Sequence, residues 1–126
     1  MRPDPHSSRA WIGRAESSLA LARMQAEGID LEDLCYQAQQ SAEKALKAVF
    51  LARGVRFPLS HNLDLLLQGL EELGLEIPES VDTASRLTRY AVETRYPGFY
   101  DPVTPEEYQE ALAMAGTMLD WARGKL

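Results

Sequence analysis

The sequence predicts an all-α protein, an antiparallel up-and-down bundle of four to five helices forming one domain over residues 1–126. Three observations predict it. Apolar residues recur at the helical period of about 3.6 almost everywhere, and no stretch alternates in the manner of a half-buried strand. The breaks fall at short Gly- and Pro-containing stretches, "GVRFPLSHN", "GLEIPES" and "PGFYDPVTPEE", which suit tight connections between antiparallel helices. The 126 residues suffice for one hydrophobic core and contain no linker, repeat or low-complexity run that would mark a second domain.

The elements follow in order. Residues 1–7 read as a flexible lead, and His6 within it is given no role. Ser7 or Ser8 caps a first helix whose stripe is Trp11, Ile12, Ala15, Leu19 and Ala22, with Gly28 as its end. A second helix spans 31–53 and stops at Gly54. Ser60 or Asn62 caps a third, which carries Leu63, Leu66, Leu67, Leu70 and Leu73. A fourth spans 80 to 95 or 96 and ends at Pro97 and Gly98. Thr104 followed by Pro105 starts the last helix, with Tyr108, Leu112, Ala115, Met118, Leu119 and Ala122 inward.

Composition narrows the function classes. The chain is 45% hydrophobic and 25% charged, ordinary for a globular protein, and its net charge of −6 argues against a general nucleic-acid or membrane binder. A local basic face for RNA stays open. Cys35 is the single cysteine, so no intrachain disulfide can form, and its place among core positions reads as a buried apolar residue rather than a reactive thiol. No apolar run reaches the roughly 18 residues of a membrane span, and the opening "MRPDPHSSRA" has no signal-peptide core. A cytoplasmic location is expected.

The second helix, "CYQAQQSAEKALKAVF", is the most informative stretch. At about 100° per residue, Cys35, Ala38, Ala42, Ala45, Leu46 and Val49 share one stripe. Alanines at four-residue intervals let a neighbouring helix come close. Gln39 and Glu43 lie at the stripe's edge, while Gln40, Lys44 and Lys47 point away with Tyr36 near them. Two readings follow: a solvated face of helix-favouring residues, or a polar site in which Gln39 and Glu43 meet a partner at the bundle margin. On the fourth helix the stripe Ala84, Leu87, Thr88 and Ala91 continues to Arg95. A core-facing guanidinium needs a carboxylate, and Glu43 is the predicted partner, directly or through Gln39. Arg86, Arg89 and Glu93 face outward and with Tyr96 form a basic, aromatic patch suited to phosphate or base recognition. The alternative there is intrahelical pairing of Arg89 with Glu93. Tyr90 is read as outward-facing, and with Tyr96, Phe99 and Tyr100 it would either anchor a partner or pack a loop onto the bundle.

A search for catalytic motifs finds little. One cysteine and two separated histidines make no usual zinc site, and neither a phosphate-binding glycine loop nor a nucleophile elbow is present. No metal, cofactor or catalytic residue is assigned. Arg56 precedes His61 by five positions, a spacing used by one group of metal-independent RNases, in which the histidine handles protons and the arginine steadies phosphate charge. His61 bonding its own loop is the simpler alternative.

"YQAQQSAEKALKAVFLARGV", "PLSHNLDLLL" and "TRYAVETRYPG" together resemble the HEPN domain, found beside minimal nucleotidyltransferases in bacteria and archaea. The similarity extends from about Trp11 to Ala122. It implies a helical bundle and a protein that commonly self-associates as a homodimer. It also implies a small nucleotidyltransferase as partner, sometimes in a toxin–antitoxin pair, and nucleotide binding. Taken with the polar side of the second helix and the basic, aromatic patch of the fourth, the ligand candidates are Gln39, Glu43, Lys44, Lys47, Arg89, Arg95 and Tyr96. RNase branches of the family carry an R-x4–6-H pair late in the chain. Here "RYPGFYDP" supplies Arg95, but Tyr100 stands five residues later and no histidine follows. The resemblance therefore implies a non-catalytic module, with a metal-independent RNase toxin as the alternative.

Overall fold

The structure, a computed structural model, describes residues 7–92 and 101–126. Helix α1 is Ser8–Ala22, α2 Leu31–Ala52, α3 Leu63–Glu72, α4 Glu79–Thr83, α5 Arg89–Val92 and α6 Pro105–Arg123. A 3-10 turn, Ala84–Thr88, joins α4 to α5. The regular structure of the described residues is entirely helical, and the helices form the expected bundle. None is long and apolar enough to cross a membrane.

Helix α2 is the centre of the bundle. It packs along α1 on one side and α6 on the other, with α3, the 3-10 turn and α5 also against it. Ala38, Ala42 and Ala45 are fully buried, and Ala15 and Ala22 on α1 and Ala111, Ala115 and Ala122 on α6 are equally small and equally buried. Short side chains on all three helices let their backbones approach. The Ser41 hydroxyl uses that closeness to donate to the Ala15 carbonyl at 2.7 Å. From α6 the buried Tyr108 hydroxyl donates to the Ala22 carbonyl, satisfying the last turn of α1. Cys35 is fully buried as expected, and burial, reinforced by Glu32 and Glu107, pushes its thiol up to about 12.

The ends are set by local chemistry. Ser7 accepts from the Ala10 N–H at 3.1 Å, and Thr104 and Glu107 form a reciprocal capping box, with side-chain bonds of 2.9 and 3.1 Å. After α3, Gly74 takes φ +95°, where a side chain would be strained, and lets the Leu75 N–H reach back to the Leu70 carbonyl at 3.1 Å. Within α3, a Cβ on Gly69 would sit 2.8 Å from the Phe50 ring, so only glycine admits this approach of α3 to α2 without displacing that ring.

Two expectations about helix extent are corrected. Helix α1 stops at Ala22 rather than Gly28, because residues 23–30 are all exposed and offer no stripe to bury. The fourth helix is not one regular α-helix. Val81, Ala84, Leu87 and Tyr90 are buried at three-residue intervals, the period of a 3-10 helix rather than an α-helix. Tightening the winding from 84 to 88 keeps all four on one line. Its consequence is that Tyr90 is 3% exposed and belongs to the core, not to an outward anchor. Thr88 accepts the Leu63 N–H at 3.0 Å, so the tightened segment also caps α3.

Candidate functional site

The polar residues of α2 do not form a solvated face. Glu43 has 6% of its side chain exposed and Lys47 8%. Both are enclosed because a central helix meets neighbours on more than one side. Glu43 Oε2 accepts from Lys47 Nζ at 2.9 Å, and Oε1 accepts from Gln39 Nε2 at 3.2 Å. Oε1 also lies 2.8 Å from His61 Nδ1, which the loop after α2 brings in. The fully buried Gln39 amide donates a second time, to the His61 carbonyl at 3.2 Å, and its oxygen accepts from Gln40 at 3.0 Å. His61 is thus clasped to α2 through both backbone and ring. Phe57 of the same loop stacks edge-on against Trp11 at 4.8 Å, and Lys47 Nζ lies 5.0 Å over its ring.

The electrostatics follow from that enclosure. Burial alone would raise the Glu43 carboxyl, but its bonds to Lys47, His61 and Gln39 outweigh it and hold the group below its ordinary 4.5. Glu43 is therefore ionised at neutral pH and can only accept, so His61 Nδ1 carries a hydrogen. The ring's other nitrogen, Nε2, belongs to a side chain 66% exposed. Among the described residues, the groups that meet Glu43 are Gln39, Lys47 and His61. Glu43–Lys47 is an i,i+4 pair that spacing alone could have flagged; His61, reached through a loop, left no periodic signal.

Lys44, one residue from Glu43, lies elsewhere. It is partly buried against α1, and its Nζ donates to the Ser18 hydroxyl at 2.8 Å. Burial, and after it the neighbouring Arg14, lower its pKa from 10.5, with Glu43 opposing in part.

Arg86 and Arg89 face outward as predicted, but they pair across to α6. Arg86 Nη1 is 3.3 Å from Glu110 Oε1, and Arg89 Nη1 is 3.6 Å from Glu107 Oε2. With Tyr90 and Met114 these four residues line a small cleft. The predicted Arg95–Glu43 contact lies outside the described residues, as do Glu93, Tyr96, Phe99, Tyr100 and His6. No cluster of His, Cys, Asp and Glu among the described residues could hold a metal ion.

The HEPN domain model matches residues 8–125, nearly the whole bundle. The chain belongs to the HEPN family. Among solved structures, this HEPN chain is similar to TT1696 from Thermus thermophilus, with 34% identity and a TM-score of 0.86, over 96% of this chain and 99% of that one. It is also similar to ST0689, an archaeal HEPN homologue, at 26% identity and TM-score 0.74, over 94% and 97% of the two chains. No curated protein matches it.

Proposed function

We propose that this HEPN protein is a helical interaction module that partners a small nucleotidyltransferase and binds a nucleotide, without catalysis of its own. In this role it is a cytoplasmic homodimer, and the pair it forms is of toxin–antitoxin type. What supports the reading is the state of Glu43. Its carboxylate, the most enclosed acid of the polar cluster, is engaged by Lys47, Gln39 and His61 together and so is committed to holding the α2–α3 loop. The sequence adds that no histidine follows His61, leaving the late R-x4–6-H position to Tyr100. The test is co-expression with nucleotidyltransferases encoded beside the gene. A stable complex is expected on purification, and failure with every such neighbour overturns the proposal.

A second reading rests on one distance. His61 Nδ1 at 2.8 Å from an ionised carboxylate is oriented as an acid–base histidine would be, with Nε2 turned outward and Arg56 exposed five residues before it. In this alternative the protein is a metal-independent RNase. RNA cleavage by the purified chain that disappears in His61→Ala, with helicity intact by circular dichroism, would replace the first reading by this one.

A further inference from the structure

His61 is held to α2 twice, its carbonyl by the Gln39 amide at 3.2 Å and its ring Nδ1 by Glu43 Oε1 at 2.8 Å. A histidine that only tied down its loop would be expected to bury its ring along with that carboxylate. Instead the His61 side chain is 66% exposed, while the Glu43 side chain it meets is 6% exposed. The enclosed edge of the ring is the Nδ1 edge, and the Nε2 edge faces outward.

That arrangement fixes the chemistry of the ring. Glu43 is ionised at neutral pH despite its burial, because Lys47, His61 and Gln39 bond it, so the carboxylate accepts and Nδ1 donates. In the neutral ring Nε2 then holds the free lone pair, in an orientation set by a buried partner. Lys47 Nζ, 2.9 Å from the other carboxylate oxygen, balances the charge, so an anionic reagent meets no net negative cluster there. The neighbouring sequence agrees: residues 44–63 carry Lys44, Lys47, Arg53 and Arg56 and no Asp or Glu, in a chain of net charge −6. An outward lone pair backed by an orienting carboxylate is the arrangement of a nucleophile.

We propose that His61 Nε2 is a phosphoryl-acceptor site, taking the group from a small high-energy donor, a phosphoramidate or an acyl phosphate. The Nε2 lone pair attacks phosphorus, and the N–P bond forms as the bond from phosphorus to the leaving nitrogen or oxygen breaks. The remainder of the donor departs as ammonia or as a carboxylate. Nε2 has no hydrogen to lose. The positive charge that the ring acquires is met at Nδ1–H by the Glu43 carboxylate, 2.8 Å away. The reaction needs neither a nucleotidyltransferase nor RNA, so it stands or falls apart from both readings above.

The full chain carrying His6→Gln, which leaves His61 as its single histidine, is treated with potassium phosphoramidate and followed by phosphorus NMR and mass spectrometry. One acid-labile phosphoryl group is expected, on Nε2, formed about tenfold faster in the folded chain than in the same chain unfolded in urea. Adding His61→Ala should abolish the uptake. Adding Glu43→Gln instead, with helicity checked by circular dichroism, should slow the folded reaction by about the same factor. A product on Nδ1, a folded rate no greater than the unfolded one, or a folded Glu43→Gln chain that reacts as fast as its parent overturns the site. Should Glu43→Gln fail to fold, the nitrogen modified and the ratio of folded to unfolded rates decide alone.

Discussion

Lys44 and Lys47 stand three residues apart on α2 and live in opposite settings. Lys47 is 8% exposed, bonded to Glu43 at 2.9 Å and roofed by the Phe57 ring. Lys44 is partly buried, its ammonium donating to the Ser18 hydroxyl of α1. The first arrangement is closed: each polar group answers another, and the product is a loop fixed to a helix. The second is simpler: one hydroxyl holds the ammonium against α1. Each lysine is thus held by what its own turn of α2 meets, a carboxylate in one case and a hydroxyl in the other.

The closed cluster is broken most severely by Glu43→Ala. It leaves the Lys47 ammonium and the Gln39 amide enclosed without their acceptor, and an uncompensated buried charge costs about 3–5 kcal/mol. Urea unfolding should show that loss, and a change below about 1 kcal/mol would mean that the cluster is wetter than its 6% exposure implies. Acid gives the same test without deleting the side chain. The folded Glu43 pKa is depressed, so its stabilisation is present above the unfolded value, near 4.5, and is lost as pH falls through the folded value. Wild type should therefore lose stability on acidification faster than Glu43→Gln, and parallel curves would refute the assignment.

How much of this was legible in the sequence differs from region to region. The alanine ridge Ala38, Ala42 and Ala45 was readable because a periodic stripe implies a buried face, and the structure places it wholly inside. The burial of Gln39, Glu43 and Lys47 was not, because a helical wheel assumes one buried side while α2 meets α1, α6 and α3 around its circumference. The 79–92 segment misled for a different reason. Val81, Ala84, Leu87 and Tyr90 are spaced by three, but a search tuned to 3.6 prefers Ala84, Leu87, Thr88 and Ala91, and so turned Tyr90 outward. Tyr90 instead packs inside, and burial, with a lesser part from Cys35, pushes its hydroxyl up to about 12. Of the candidate ligand residues, the structure brings Gln39, Glu43 and Lys47 together, sets Lys44 and Arg89 in two other places, and leaves Arg95 and Tyr96 outside the described residues.

Lys47→Met is the next smaller effect. Glu43 keeps His61 and Gln39, and the methionine fills the space beneath Phe57, so the cost is one charged hydrogen bond, about 1.5–3 kcal/mol. A loss as large as that of Glu43→Ala would show that Lys47, not the carboxylate, organises the cluster.

Lys44→Met is expected to be the mildest change, and it carries the contrast furthest. The Ser18 hydroxyl loses a donor but can turn to the Arg14 carbonyl one turn earlier in α1, and the repulsion from the Arg14 guanidinium disappears. Stability should stay within about 0.5 kcal/mol of wild type. The pH dependence supplies the sign. Lys44 has a folded pKa below 10.5, so between the two values the unfolded chain binds more protons, and its contribution rises with pH through the folded value until 10.5. Wild type should therefore gain on Lys44→Met as pH climbs from neutrality toward 10.5, read as the difference in urea midpoints. A difference that shrinks instead would mean that Lys44 is stabilised as a cation in the folded chain. That would contradict burial as the main influence on its ammonium.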